Sequence, residues 1–157
     1  MDGEFSFEHP VEVRFRDLDA LGHVNHASFL TYFEIARTAY WMQLSGVRSV
    51  AALDFILARV ECDYRSSVSF PDTLQVGVRC SKLGTKSFDL EYRVRRGDGQ
   101  VAAVGRTVQV GYDYATGQTR PIQPEVRSLL TRDLTRSAVG AEASGSEPGT
   151  TKLTERN

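Results

Sequence analysis

From residue 55 onward the chain repeats with a period of two. Ile56, Ala58, Val60, Cys62 and Tyr64 alternate with polar neighbours, and so do Leu74, Val76, Val78 and Cys80. Phe88, Leu90, Tyr92 and Val94 follow, then an Asp98-Gly99 turn, then Val104, Val108, Val110 and Tyr112, with Arg106 interrupting the row. A period of two is a strand signal, and Asp-Gly between two such runs is a hairpin signal. Clean alternation makes each strand apolar on one face, which predicts an antiparallel sheet with one face covered. The cover has one long candidate. Phe29, Leu30, Phe33, Ala36, Arg37, Tyr40, Trp41 and Leu44 recur at helical spacing, predicting a helix over 27–44, about 27 Å long. Asn25 or His26 falls near its start, and Gly46 is a natural stop. The many aromatics on this helix imply that something wraps around it.

Shorter elements complete the plan. Val11-Glu12-Val13-Arg14-Phe15 alternates and predicts a first strand. Pro124 is placed to open a short final helix through Leu130. Beyond about Thr135 the chain turns to Ser, Gly, Ala, Glu and Thr, which reads as a disordered tail over 135–157. The expectation is α+β, with a single domain over 1–134.

Composition excludes several classes of partner. A formal net charge of -1 provides no field for nucleic acid or an anionic membrane. No apolar run approaches the roughly 20 residues of a membrane span. The acidic Met-Asp-Gly-Glu start lacks the basic and apolar segments of a signal peptide. Cys62 and Cys80 are far apart and not at metal-ligand spacing, so free thiols in a reducing cytoplasm are expected.

The chemistry concentrates between the first strand and the helix. Arg16-Asp17-Leu18-Asp19-Ala20-Leu21-Gly22-His23-Val24-Asn25-His26 packs two carboxylates, two imidazoles and an amide into eleven residues. A helix N-terminus presents unpaired backbone N–H groups and the positive end of the helix dipole. Such donors polarise a carbonyl and hold a developing oxyanion. A carboxylate beside them can attack that carbonyl or activate a water. Thioester hydrolysis needs no more than this and an apolar surface for the acyl group. A metal held by Asp17, Asp19, His23 and His26 is the weaker reading, because direct hydrogen bonding explains the same residues.

Asp17-Leu18-Asp19, Gly22-His23-Val24-Asn25-His26 and Tyr32-Phe33-Glu34-Ile35-Ala36-Arg37, with Ser69-Phe70-Pro71-Asp72-Thr73-Leu74 further on, resemble the signature of the 4-hydroxybenzoyl-CoA thioesterase family. The likeness runs from about Val11 to Leu130. It implies the hotdog fold, a curved antiparallel sheet wrapped around one long helix. It also implies hydrolysis of acyl- or aroyl-CoA thioesters or, in relatives, of the acyl thioesters of acyl carrier protein, by homodimers or homotetramers without cofactor or metal. By position the family's catalytic carboxylate is Asp19, and the N–H receiving the thioester oxygen falls near His26. His26 is either a catalytic participant or part of the helix cap. Asp17, Gly22, His23, Asn25 and Glu34 take supporting or oxyanion positions, with Asp17 and His23 expected to stabilise the loop and Glu34 to pair with Arg37. Lys86 and Ser87 fall where relatives meet CoA. A non-catalytic acyl-CoA binding protein and a hotdog dehydratase are the competing readings. Asp19 argues against the first, and the absence of the dehydratase motif against the second.

Overall fold

The computed structural model describes residues 3–46 and 54–143. In chain order the elements are β1 (Phe7–Glu12), a 3-10 turn (Phe15–Asp17), α1 (His26–Ser45), β2 (Phe55–Tyr64), β3 (Thr73–Leu83), β4 (Ser87–Arg95), β5 (Val101–Asp113), β6 (Gln118–Thr119) and α2 (Pro124–Ala143). The main strands lie in the order β1-β3-β4-β5-β2, every pairing antiparallel, and the short β6 pairs with β5. This is the hotdog architecture, with α1 against the inner face of the sheet.

The inner face explains why α1 sits where it does. Phe29, Tyr32, Phe33, Ala36, Tyr40 and Trp41 are buried, and they meet Val76, Val78, Phe88, Leu90, Tyr92 and Val94 in one core. Burying a large apolar side chain of this kind contributes about 1.5–3 kcal/mol. Phe33 stacks on Tyr92 with ring centroids 4.5 Å apart. It also lies over Gly105, where a Cβ would come within 2.4 Å of the Phe33 ring. Glycine there lets the helix approach the backbone of β5. At its C-terminus α1 ends on Gly46, in the left-handed region with φ 70°, a cap that glycine adopts without steric cost.

Four sequence expectations shift. The first strand spans Phe7–Glu12 rather than Val11 to Phe15, and Phe15 enters the 3-10 turn. Pro10 is tolerated within it because β1 is an edge strand. In β2 a bulge between Leu57 and Arg59 swaps the faces, so that Phe55 and Leu57, not Ile56 and Ala58, share a face with Val60, Cys62 and Tyr64. In β5 the covered face is Ala103, Gly105, Thr107 and Gln109, paired with inward-facing Val94, Tyr92, Leu90 and Phe88, while Val108 and Val110 take the other face. Polar residues succeed under the helix because they bond to one another. Arg37 donates to Tyr92 Oη at 3.2 Å, Tyr92 Oη and Thr107 Oγ1 are 2.8 Å apart, and Gln109 donates to Thr107 at 2.7 Å.

The final helix is the fourth. It does not stop near Leu130 but continues through Ala143, past the expected boundary at Thr135. Val126, Leu130 and Leu134 recur every fourth residue against the core. Asp133, also buried, accepts from Tyr40 Oη at 2.9 Å and from the Cys80 backbone N–H at 2.8 Å, tying α2 to α1 and β3. Thr131 and Thr135 turn their hydroxyls back onto the carbonyls of Arg127 and Thr131, so both hydroxyls are satisfied within the helix. The remainder of the expected tail, 144–157, lies outside the described residues.

Burial raises one thiol and two phenols of this core. The Cys80 thiol is pushed up from 9.0 to about 12, chiefly by burial and then by the Asp133 carboxylate. Tyr40 and Tyr92 are also raised, burial being the largest cause for each. Groups raised on folding favour the native state below their unfolded pKa and withdraw that favour as pH climbs toward the folded value. The melting temperature should therefore fall steadily between about pH 9 and 12. Iodoacetamide at neutral pH should label native Cys80 far more slowly than unfolded Cys80.

Candidate active site

The Arg16–His26 loop is built by its own hydrogen bonds. The Asp19 N–H donates to the His23 carbonyl at 2.7 Å, and the Gly22 N–H to the Asp19 carbonyl at 3.1 Å. Asp19 Oδ1 accepts from the N–H groups of Leu21 at 2.8 Å and His23 at 3.2 Å. The turn closes through Gly22, whose φ of 80° favours glycine, and a bridge between Leu18 and Val24. Asp19 is thus held by one carboxylate oxygen, and among the described residues Oδ2 has no partner.

Helix α1 begins where this loop ends. Asn25 caps it, its side chain accepting from the Ala27 N–H at 2.9 Å, while its own N–H donates to the Asp17 carbonyl at 2.8 Å. The Ser28 N–H returns to the Asn25 carbonyl at 2.9 Å. That leaves the His26 N–H without a partner among the described residues, at the positive end of a 20-residue helix.

Asp19, His23 and His26 line one open cleft of about 410 Å³ with Phe29, Tyr64 and Arg65. All three predicted residues are exposed. The His26 ring stands edge-on to Tyr64 at 6.4 Å, and Tyr64 Oη donates to the His26 carbonyl at 2.9 Å. No hydrogen bond joins the His26 or His23 side chain to Asp19 among the described residues. Tyr64 is the residue that sequence reasoning did not assign to the site. It lay at the end of an apolar strand row, with no local motif to mark its hydroxyl.

The other predicted residues fall elsewhere. Asp17 points away from this cleft. Its Oδ2 accepts from the Arg14 N–H at 2.9 Å and from Tyr32 Oη at 2.8 Å, an anchor between loop and helix. Burial, and after it the bond to Asp17, holds the Tyr32 phenol well above its ordinary pKa. Glu34 is exposed on α1, eight residues and about 12 Å along the helix from His26. The expected Glu34–Arg37 pair is not formed, because the Arg37 guanidinium turns inward to Tyr92. Lys86 and Ser87 are at the other end of the sheet. Ser87 pairs with Val110, whereas Tyr64 pairs with Ala103, seven residues or about 23 Å along β5. Among the described residues no three His, Cys, Asp or Glu side chains gather to hold a metal ion.

With this geometry established, the comparisons define the class. The sequence profile of the thioesterase-like superfamily matches residues 13–130, and the chain belongs to that family of thioester hydrolases. A thioesterase from Thermus thermophilus, solved in complex with coenzyme A and Zn, superimposes with a TM-score of 0.76 at 38% identity, covering 87% of this chain and 98% of that one. The acyl-CoA thioesterase YbgC of Haemophilus influenzae is 33% identical over 100 residues, 61% of this chain and 72% of that protein. The uncharacterized protein YsmA of Bacillus subtilis is 30% identical over 126 residues, 80% of this chain and 86% of that protein.

Proposed function

We propose that the protein is an acyl-CoA thioesterase that hydrolyses an acyl- or aroyl-CoA to the free acid and CoA, with Asp19 as its catalytic carboxylate. One observation carries the reading: Asp19, with a carboxylate oxygen unpartnered among the described residues, and His26, with an unpartnered N–H among them, line the same cleft. The thioester oxygen sits on the His26 N–H, where the helix dipole stabilises negative charge as the tetrahedral intermediate forms. Asp19 Oδ2 then attacks the carbonyl carbon and expels the CoA thiolate, and water cleaves the resulting mixed anhydride to the free acid and the Asp19 carboxylate. In the alternative route Asp19 takes a proton from a water attacking the same carbon, and collapse of the intermediate expels the thiolate, which takes up that proton. The Leu21 and His23 N–H groups hold Oδ1 and aim Oδ2. Tyr64 fixes the first turn of α1 through the His26 carbonyl. Acyl-carrier-protein substrates require the same chemistry and are the alternative source of the thioester. The two free thiols suit a reducing cytoplasm.

The working unit in this reading is at least a homodimer. β2 is an edge strand, and its inner-face residues Leu57, Val60 and Tyr64 are 48%, 38% and 49% exposed. A long edge with apolar side chains invites pairing with a second copy. A twofold antiparallel pairing along β2 carries the Lys86 end of one chain toward the Asp19 end of the other. That arrangement brings Lys86 and Ser87 to CoA, which a single chain does not.

Two measurements test the proposal. With an acyl-CoA panel and detection of the released thiol, Asp19→Asn should retain binding and lose turnover by roughly 10²–10⁴. Asp17→Asn should lower the melting temperature more than the turnover. Parent-like turnover of Asp19→Asn would remove the mechanism. Light scattering at micromolar concentration should give twice or four times the chain mass, and an active monomer would contradict the shared site.

A further inference from the structure

A second cleft, of about 200 Å³, lies between β1, the C-terminal half of α1 and α2. Phe7, Tyr40, Leu44 and Leu129 supply an apolar floor, and Ser6, Gln43, Arg132 and Arg136 stand around it. Gln43 is 17 residues along α1 from His26, about 26 Å, so this cleft is separate from the Asp19 site. Arg132 and Arg136 are exposed and one helical turn apart on α2, and neither has a hydrogen bond or ion pair among the described residues. Like charges at this spacing repel, and here both guanidiniums border the same cleft. Asp133 also lines it, but that carboxylate is buried and already accepts two hydrogen bonds, so the cationic character belongs to the rim.

We propose that this cleft binds a small amphipathic carboxylate, its charged head on Arg132 and Arg136 and its apolar body over Phe7, Leu44 and Leu129. The size supports a short alkyl chain or a single ring, since the cleft is smaller than the roughly 300–1,000 Å³ of drug-sized sites. Such a molecule is of the class of acid that thioester hydrolysis releases, so the cleft is a site for the product acid. That last step rests on the hydrolase reading, whereas the binding itself does not. A different task for the two arginines is to complement the negative C-terminal end of α1, which would appear as stability rather than binding.

The single tryptophan reports on the cleft, because the ring of Trp41 packs on that of Tyr40 at 5.4 Å. Hexanoate titrated into the full chain should change Trp41 fluorescence saturably with a Kd of about 1 mM or tighter. The uncharged hexanamide should bind at least tenfold more weakly. Arg132→Gln/Arg136→Gln should lose hexanoate affinity at least tenfold, with its melting temperature and initial acyl-CoA turnover near the parent's. Saturation with a CoA thioether analogue, which fills the Asp19 site, should leave hexanoate binding in place. Parent-like affinity in the double variant, equal binding of hexanamide, or displacement by the thioether analogue would each overturn the proposal. A double variant that binds normally but melts early would assign the arginines to the α1 terminus instead. Acyl-CoA turnover without saturable hexanoate binding would remove this site and leave the hydrolase. Hexanoate binding without turnover on any thioester would remove the hydrolase and leave the site.

Discussion

The seating of α1 on β5 fixes everything downstream. Phe33 reaches the backbone of β5 because position 105 carries no side chain, and it stacks on Tyr92 from β4 in the same place. A close-packed interior offers few alternative positions for a helix held at such a contact. Once the axis is set, the first turn of α1 projects at one end of the sheet and Trp41 packs against Phe55 and Phe88 toward the other. The position of the Asp19 cleft is thus defined by core packing some two turns away.

The loop adds a short-range geometry to that long-range placement. Two aspartates two residues apart do different work because their side chains go to opposite sides. Asp17 spends its carboxylate on the Arg14 N–H and the Tyr32 hydroxyl. Asp19 turns one oxygen into its own loop and leaves the other open. Asn25 satisfies the Ala27 N–H with its side chain, and the N–H of its neighbour His26 is left over. A helix start with every donor capped would present no free N–H, so the proposed oxyanion role depends on the incompleteness of this cap.

Much of this was legible from residues alone, for reasons that differ by element. The inward rows of β3 and β4 read correctly because hydrophobicity alternates without interruption from Leu74 to Cys80 and from Phe88 to Val94. The β5 face did not, because its buried side is Gly105, Thr107 and Gln109, polar or small residues whose partners come from other elements. The β2 face slipped because a bulge at Ala58 leaves no mark on composition. That Asp19, His23 and His26 border one cleft was legible because they stand together in a local motif that survives in linear order. Tyr64 and Asp133 were not, since one acts at 38 residues' separation from His26 and the other at 93 from Tyr40. Helix α2 outran its apparent end because its later turns are largely polar, and the contacts that hold them, Leu134 on the core and Asp133 on Tyr40 and Cys80, lie far away in sequence.

The central claim is that the His26 N–H and Asp19 act together on one carbonyl. Amide NMR tests it directly with an acyl-CoA analogue in which a methylene replaces the thioester sulfur, keeping the carbonyl and removing the leaving group. Titration should move the His26 amide proton downfield as it becomes a donor to the ligand oxygen, with smaller changes at Leu21 and His23, whose N–H groups hold Asp19. An analogue that binds while the His26 amide stays at its free position would contradict the account.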